Sequence, residues 1–160
     1  MQEDAPAYVE LRAIRVRAMT ERVFERVCRS GGVEGWYATN PAWRLRGAMD
    51  RLVGGPGLRA KVPRRALPEV GDALDFWRVV RVEAPSDLVL EAEMKIPGRA
   101  RLGFHVRAGG AGESLLFQRV EFLPRGVAGK LYWWLLYPAH RFVFRRMLRN
   151  LAFRLQAQPG

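Results

Sequence analysis

Few residues in this chain have the type and spacing that chemistry needs. A nucleophile with its base needs a thiol or hydroxyl beside an imidazole, and the sequence holds one cysteine, Cys28, and two histidines, His105 and His140. Cys28 follows Val23, Phe24 and Val27, the setting of a buried thiol rather than a reactive one. Two histidines and one cysteine fall short of the usual zinc ligand set, and no Gly-x-Ser-x-Gly elbow is present. No metal or cofactor is therefore expected, and no catalytic residue can be assigned. Gly54-Gly55-Pro56-Gly57 with Arg59 lacks the lysine and Ser/Thr that complete a phosphate loop, and it ends a helix instead of opening one. Gly109–Gly112 joins two strands and reads as a hairpin loop. Glu91 and Glu93 share a strand face, which paired surface carboxylates facing nearby arginines explain more simply than acid–base catalysis.

Composition narrows the classes further. A chain of 160 residues, 49% hydrophobic and 27% charged, fits a single globular domain over 1–160. Residues 1–6 and 157–160 read as loose ends. No stretch near the start has the basic, apolar and small-residue layout of a secretory leader, and a lone cysteine makes no internal disulfide. A soluble cytoplasmic protein is the expectation. The formal charge of +11 comes almost wholly from arginine, since Lys61, Lys95 and Lys130 are the only lysines. Nucleic-acid binders gather such charge on one face. Here arginines occur in every segment, which points to a solvated basic surface and to no specific nucleic acid.

The segment Lys130–Arg146, KLYWWLLYPAHRFVFRR, carries most of the remaining interest. Its uninterrupted apolar run, Leu131–Tyr137, stops at Pro138 and is far short of the ~20 residues a membrane span requires. Beyond Pro138, His140, Phe144, Met147, Leu148, Leu151 and Leu155 recur every three or four residues while arginines fill the other directions. The proline is expected to kink this helix or start its second half.

The elements that must position these residues follow from periodicity. Tyr8–Arg17 alternates as a strand. Thr20 is placed to cap a helix that Gly31-Gly32 stops. Gly35–Pro41 reads as a loop, Trp43–Val53 as a second helix, and 58–70 as an irregular connection. A period of two then marks strands over Asp72–Glu83, Asp87–Ile96, Arg99–Ala108 and Glu113–Leu123, with Pro97-Gly98 suited to a type II turn. The rest is helical to about Gln156. Strands followed by a packed helix make an α+β layer structure.

Strand parity selects the inner face. Even-numbered residues form the apolar side of the meander, among them Phe76, Leu90, Met94, Leu102, Phe104 and Val120. Two polar side chains, Arg78 and Gln118, fall in phase with it. A buried guanidinium needs an acid, water or an anionic ligand, so the pair either contacts a small molecule or escapes to solvent and backbone, as a bulge would allow. Trp36, Tyr37, Trp43, Trp133, Trp134 and Tyr137 either fill the core or line a cavity mouth. His140, on the inward stripe, reads as a core histidine beside that space rather than as a base.

The motifs GWYATNPAWRLRGAMDRLVGGPGLR (Gly35–Arg59), VGDALDFWRV (Val70–Val79), AEMKIPGRARLGF (Ala92–Phe104) and FLPRGVAGKLYWWLLYPAHRFVFRRMLR (Phe122–Arg149) appear here in order. With the element order they resemble the START-like, or SRPBCC, helix-grip superfamily. Within it they resemble an uncharacterised bacterial domain of unknown function, often fused to the C-terminus of short-chain-dehydrogenase-like NAD(P)-binding proteins. The resemblance implies a curved antiparallel sheet around a long C-terminal helix, two short helices between the first and second strands, and a cavity between sheet and helix. It carries over no catalytic residue. This sequence contains no dehydrogenase domain, so nothing about nicotinamide binding transfers.

The function expected is binding of an apolar or amphipathic small molecule, such as a lipid, polyketide or isoprenoid. Phe76, Met94, Leu102, Phe104 and His140 would be walls, Arg78 and Gln118 polar contacts, and Trp43 and Trp133 an entrance. Alternatives are an accessory module for a separately encoded oxidoreductase, a cyclase or dehydratase, and a homo-oligomer. Peripheral membrane contact through Trp134, Tyr137 and neighbouring arginines is the less favoured reading.

Overall fold

The structure is a computed structural model that describes residues 8–30, 48, 50–52, 54–55, 67–74 and 76–157. Strand β1 (Tyr8–Val16) leads into helix α1 (Thr20–Arg29). After the segment in which Asp50–Leu52 is helical come β2 (Ala73–Leu74), β3 (Trp77–Glu83), β4 (Asp87–Ala92), β5 (Gly98–Gly110) and β6 (Glu113–Pro124). Helix α2 (Gly126–Gln156) ends the described chain. The strands form one six-stranded sheet in the order β1-β6-β5-β4-β3-β2, every neighbouring pair antiparallel. The first strand therefore returns beside the last, which brings residues near position 10 against residues near position 120.

One sheet face is apolar because its sequence alternates. Leu88 and Leu90, Leu102 and Phe104, and Leu116 and Val120 are all buried. Helix α2 closes this face with Phe144, Met147, Leu148, Leu151 and Leu155, the stripe that the three-and-four spacing predicts. Burying each such side chain stabilises the fold by about 1.5–3 kcal/mol. Helix α1 adds Val23, Phe24, Val27 and Cys28 to the same core.

Pro138 does not divide α2, which runs through it without a break. The proline removes the N–H that would meet the Trp134 carbonyl. Trp134 and Pro138 both lie on the exposed side, where water can replace that donor. The aromatic run thus splits between two faces. Trp133 and Phe144 turn inward, while Leu131, Trp134, Leu135 and Phe142 are exposed. Among the described residues no helix is long and apolar enough to cross a membrane.

Several local expectations change. Met19, not Thr20, precedes the first turn of α1, and the Thr20 hydroxyl donates to Glu21 at 3.0 Å instead of capping. Pro97-Gly98 makes no type II turn: Gly98 is nearly extended at φ 159° and its N–H reaches the Ile96 carbonyl at 2.8 Å. Glycine is needed there because an added Cβ would lie 2.4 Å from the Leu123 carbonyl oxygen. The strand expected over Asp72–Glu83 is a hairpin, with Leu74 opposite Trp77, followed by a register shift between Val79 and Arg81. Of the expected second helix Trp43–Val53, Ala48 and Asp50–Leu52 are helical and the remainder lies outside the described residues, as do Trp36, Tyr37, Trp43 and both chain ends.

Candidate functional site

Between α2 and the sheet lies a cavity of about 30 Å³. Its walls are Trp77 of β3, Met94 of the β4–β5 connection, Val120 and Phe122 of β6, and Trp133 and His140 of α2. At ~15 Å³ of accessible volume per water, it has room for about two water molecules, so any larger occupant has to displace a wall. Trp133 is sandwiched between Tyr8 and Phe122, with ring centroids 5.0 and 5.5 Å away and both pairs 10° from parallel. Its other neighbours are Tyr137 and His140.

Of the residues singled out in the sequence, Met94, Trp133 and His140 border this cavity. Phe76, Leu102 and Phe104 are instead closed into the core, each no more than 1% exposed. Trp133 is a wall and not an entrance: stacking on both faces leaves it 4% exposed. Trp43 lies outside the described residues.

Arg78 is the clearest correction. It faces away from the helix, with its side chain 45% exposed. Its Nε donates to Glu93 at 2.6 Å and its Nη1 to the Gly71 carbonyl at 2.7 Å. The cause is the irregularity in β3. Buried Trp77 and Val79 take the inner face at odd positions, and only after the shift at Val79/Arg81 does the even residue Val82 pack on the core. Glu91 likewise serves the outer face, accepting from Arg101 at 2.8 Å and Arg99 at 3.3 Å.

Gln118 is where the parity of β6 puts it, facing α2 and 0% exposed. Neither its Nε2 nor its Oε1 has a hydrogen-bond partner. Beside it lies a feature that sequence reasoning did not single out. The register sets Arg12 opposite Gln118 and Glu10 opposite Val120, so the half-buried residues of β1 point to the helix side while Val9 and Leu11 are exposed. Arg12 and Glu10 form an ion pair through Nη2 and Oε2, which leaves Arg12 Nη1 and Glu10 Oε1 buried without partners. A buried polar atom without a partner costs about 1–3 kcal/mol, so three neighbouring residues in that condition form an unusual concentration. The signal available in sequence was two charged residues in the alternation of a strand, but both of its faces carry apolar residues and its register was unknown.

The other reactive groups are placed elsewhere. Burial, reinforced by the charge of Glu25, pushes the Cys28 thiol up to about 12. Asp87 and His105 meet at 2.5 Å on the outer face, where Arg81 also approaches Asp87 at 3.3 Å. No grouping of metal-ligating side chains occurs among the described residues.

Solved structures share this architecture at low identity. The Zhui aromatase/cyclase from Streptomyces sp. R1128 matches with a TM-score of 0.57 and 11% identity, covering 93% of each chain. Protein CV1439 from Chromobacterium violaceum matches at 0.56 and 14%, over 95% of this chain and 98% of that one. Norcoclaurine synthase from Thalictrum flavum, solved with dopamine and hydroxybenzaldehyde, matches at 0.55 and 10%, over 96% and 89%. These establish the helix-grip fold. No curated protein matches the sequence. Over residues 4–147 the chain matches the family described as protein of unknown function (DUF2867), and it belongs to that family.

Proposed function

We propose that the protein binds an apolar or amphipathic small molecule between its sheet and α2. The observation that carries this reading is Gln118: a fully buried amide with no partner, on the strand that forms the cavity's floor. An interior polar group is retained at a cost when it orients something, and an apolar space with a few convergent polar groups is the usual form of a small-molecule site. A helix-grip neighbour solved with two small aromatic molecules supports the reading. Because the cavity is about 30 Å³, uptake requires the Tyr8–Trp133–Phe122 stack to open.

Native mass spectrometry of freshly purified protein, followed by solvent extraction, tests the proposal. The expected result is an extractable apolar molecule, and uptake of the neutral dye N-phenyl-1-naphthylamine once it is removed. Protein that is empty, refuses the dye and instead retains a dehydrogenase-like protein in pull-downs would overturn it in favour of a docking module.

A further inference from the structure

The chemistry of the ligand can be read from the polar cluster next to the cavity, an inference that rests on the binding reading above. On β6 the residues Phe122, Val120 and Gln118 succeed one another on the helix side, the first two being cavity walls. Side chains two apart on a strand stand roughly 7 Å from each other, so the Gln118 amide is one residue step beyond the floor. On β1, Tyr8, Glu10 and Arg12 run alongside, opposite Phe122, Val120 and Gln118 in turn. Tyr8 joins this row to the cavity wall by stacking on Trp133.

The charges in this row cancel. One carboxylate, Glu10, is paired with one guanidinium, Arg12. Glu121, between Val120 and Phe122, takes the opposite face of β6 and is held there by Arg119 at 2.7 Å, so it adds no free charge to the row. What the cluster leaves open is hydrogen-bonding capacity of both kinds: donors at Arg12 Nη1 and Gln118 Nε2, acceptors at Glu10 Oε1 and Gln118 Oε1. An anion would satisfy the donors but meet the Glu10 oxygen. A cation would meet the guanidinium. An uncharged group that both donates and accepts satisfies both halves without separating the ion pair.

We infer that the ligand is an uncharged, largely aromatic or apolar molecule bearing a hydroxyl or similar donor–acceptor group, which Gln118, Arg12 and Glu10 together recognise. The walls Trp77, Phe122 and Trp133 suit its ring or chain, and the cluster takes its polar end.

The test uses three probes of one shape, 2-naphthol, naphthalene and 2-naphthoate, titrated at pH 7 into ligand-extracted full-length protein. The wild type should bind 2-naphthol about tenfold more tightly than either of the others, as expected for a recognised hydroxyl. Gln118→Leu should abolish the preference for 2-naphthol over naphthalene while naphthalene still binds. Glu10→Gln leaves Arg12 uncompensated and should raise the affinity for 2-naphthoate about tenfold. Equal or tighter binding of 2-naphthoate by the wild type overturns the inference. So does a 2-naphthol preference that survives Gln118→Leu, because the cluster would then serve only internal packing. In both cases aromatic uptake itself persists and the binding proposal stands. Refusal of all three probes and of N-phenyl-1-naphthylamine brings down the binding proposal and this inference together.

Discussion

At the scale of single residues, the buried orphans separate stability from function. Gln118 occupies the core without satisfying its amide, so replacing it with an apolar residue of similar size removes a penalty. Gln118→Leu in ligand-extracted protein should gain about 1–3 kcal/mol. At about 2–4 °C per kcal/mol for a domain of this size, the melting temperature should rise by several degrees. Higher stability together with lost 2-naphthol selectivity marks a residue kept for binding; a fall in Tm by calorimetry would instead make the amide a packing element. Cys28 gives a second residue-scale outcome. With its thiol near 12, roughly one molecule in ten thousand is thiolate at pH 8, so iodoacetamide should label the unfolded protein readily and the native protein very slowly. Native labelling at the rate of a free thiol would contradict the burial of α1 against the sheet.

At the scale of elements, periodicity was legible wherever strands stay regular. The even-residue rule holds through β4, β5 and β6, and the three-and-four spacing identifies the buried side of α2. It failed in β3, because the pairing of Leu74 with Trp77 and a register shift at Val79/Arg81 each change which parity faces in. Hydrophobicity gives no warning there, since Val79, Val80 and Val82 look alike in sequence. Arg78→Ala therefore removes only outer-face contacts, the ion pair with Glu93 and the hydrogen bond to the Gly71 carbonyl, costing about 1 kcal/mol, and should leave dye uptake unchanged. A lost ligand in that variant would restore an inward role for Arg78. The start of α2 is far less tolerant. A Cβ on Gly129 would lie 2.3 Å from the Pro97 carbonyl oxygen and 2.8 Å from Pro124 Cα, both backbone atoms that cannot swing aside. Gly129→Ala should lower stability by about 1–3 kcal/mol, read in urea unfolding, by lifting the helix from the sheet. An unchanged unfolding midpoint would mean that this contact is slack.

At the scale of the whole molecule, element order announced the helix-grip arrangement, but the pairing of β1 with β6 lay beyond any local signal. That long-range register aligns Glu10 and Arg12 with Gln118, so the polar cluster could be found only in three dimensions. The same separation of faces governs the response to acid. The inner side has its charges paired, while the outer side of the sheet matches arginines to Glu83, Asp87, Glu91, Glu93 and Glu121. Protonating these together with the rest of the 16 aspartates and glutamates leaves 27 lysines and arginines unopposed on a chain already at +11. Asp87 is the most informative of them. Burial alone would raise its pKa, but hydrogen bonds from Ser86 and His105 and the positive charges of His105 and Arg107 outweigh that and hold it below 3.8. A carboxyl whose folded pKa is depressed contributes its stabilisation fully above the unfolded value and loses it as pH falls through the folded one. Thermal unfolding from pH 7 to pH 2 should therefore show Asp87→Asn less stable than wild type at neutral pH, with the two curves converging below about pH 4. Added salt should restore part of the acid loss in both by screening the arginines. Curves that stay parallel to pH 2 would mean that the short contact with His105 holds no differential charge energy, and that acid sensitivity belongs to net repulsion alone.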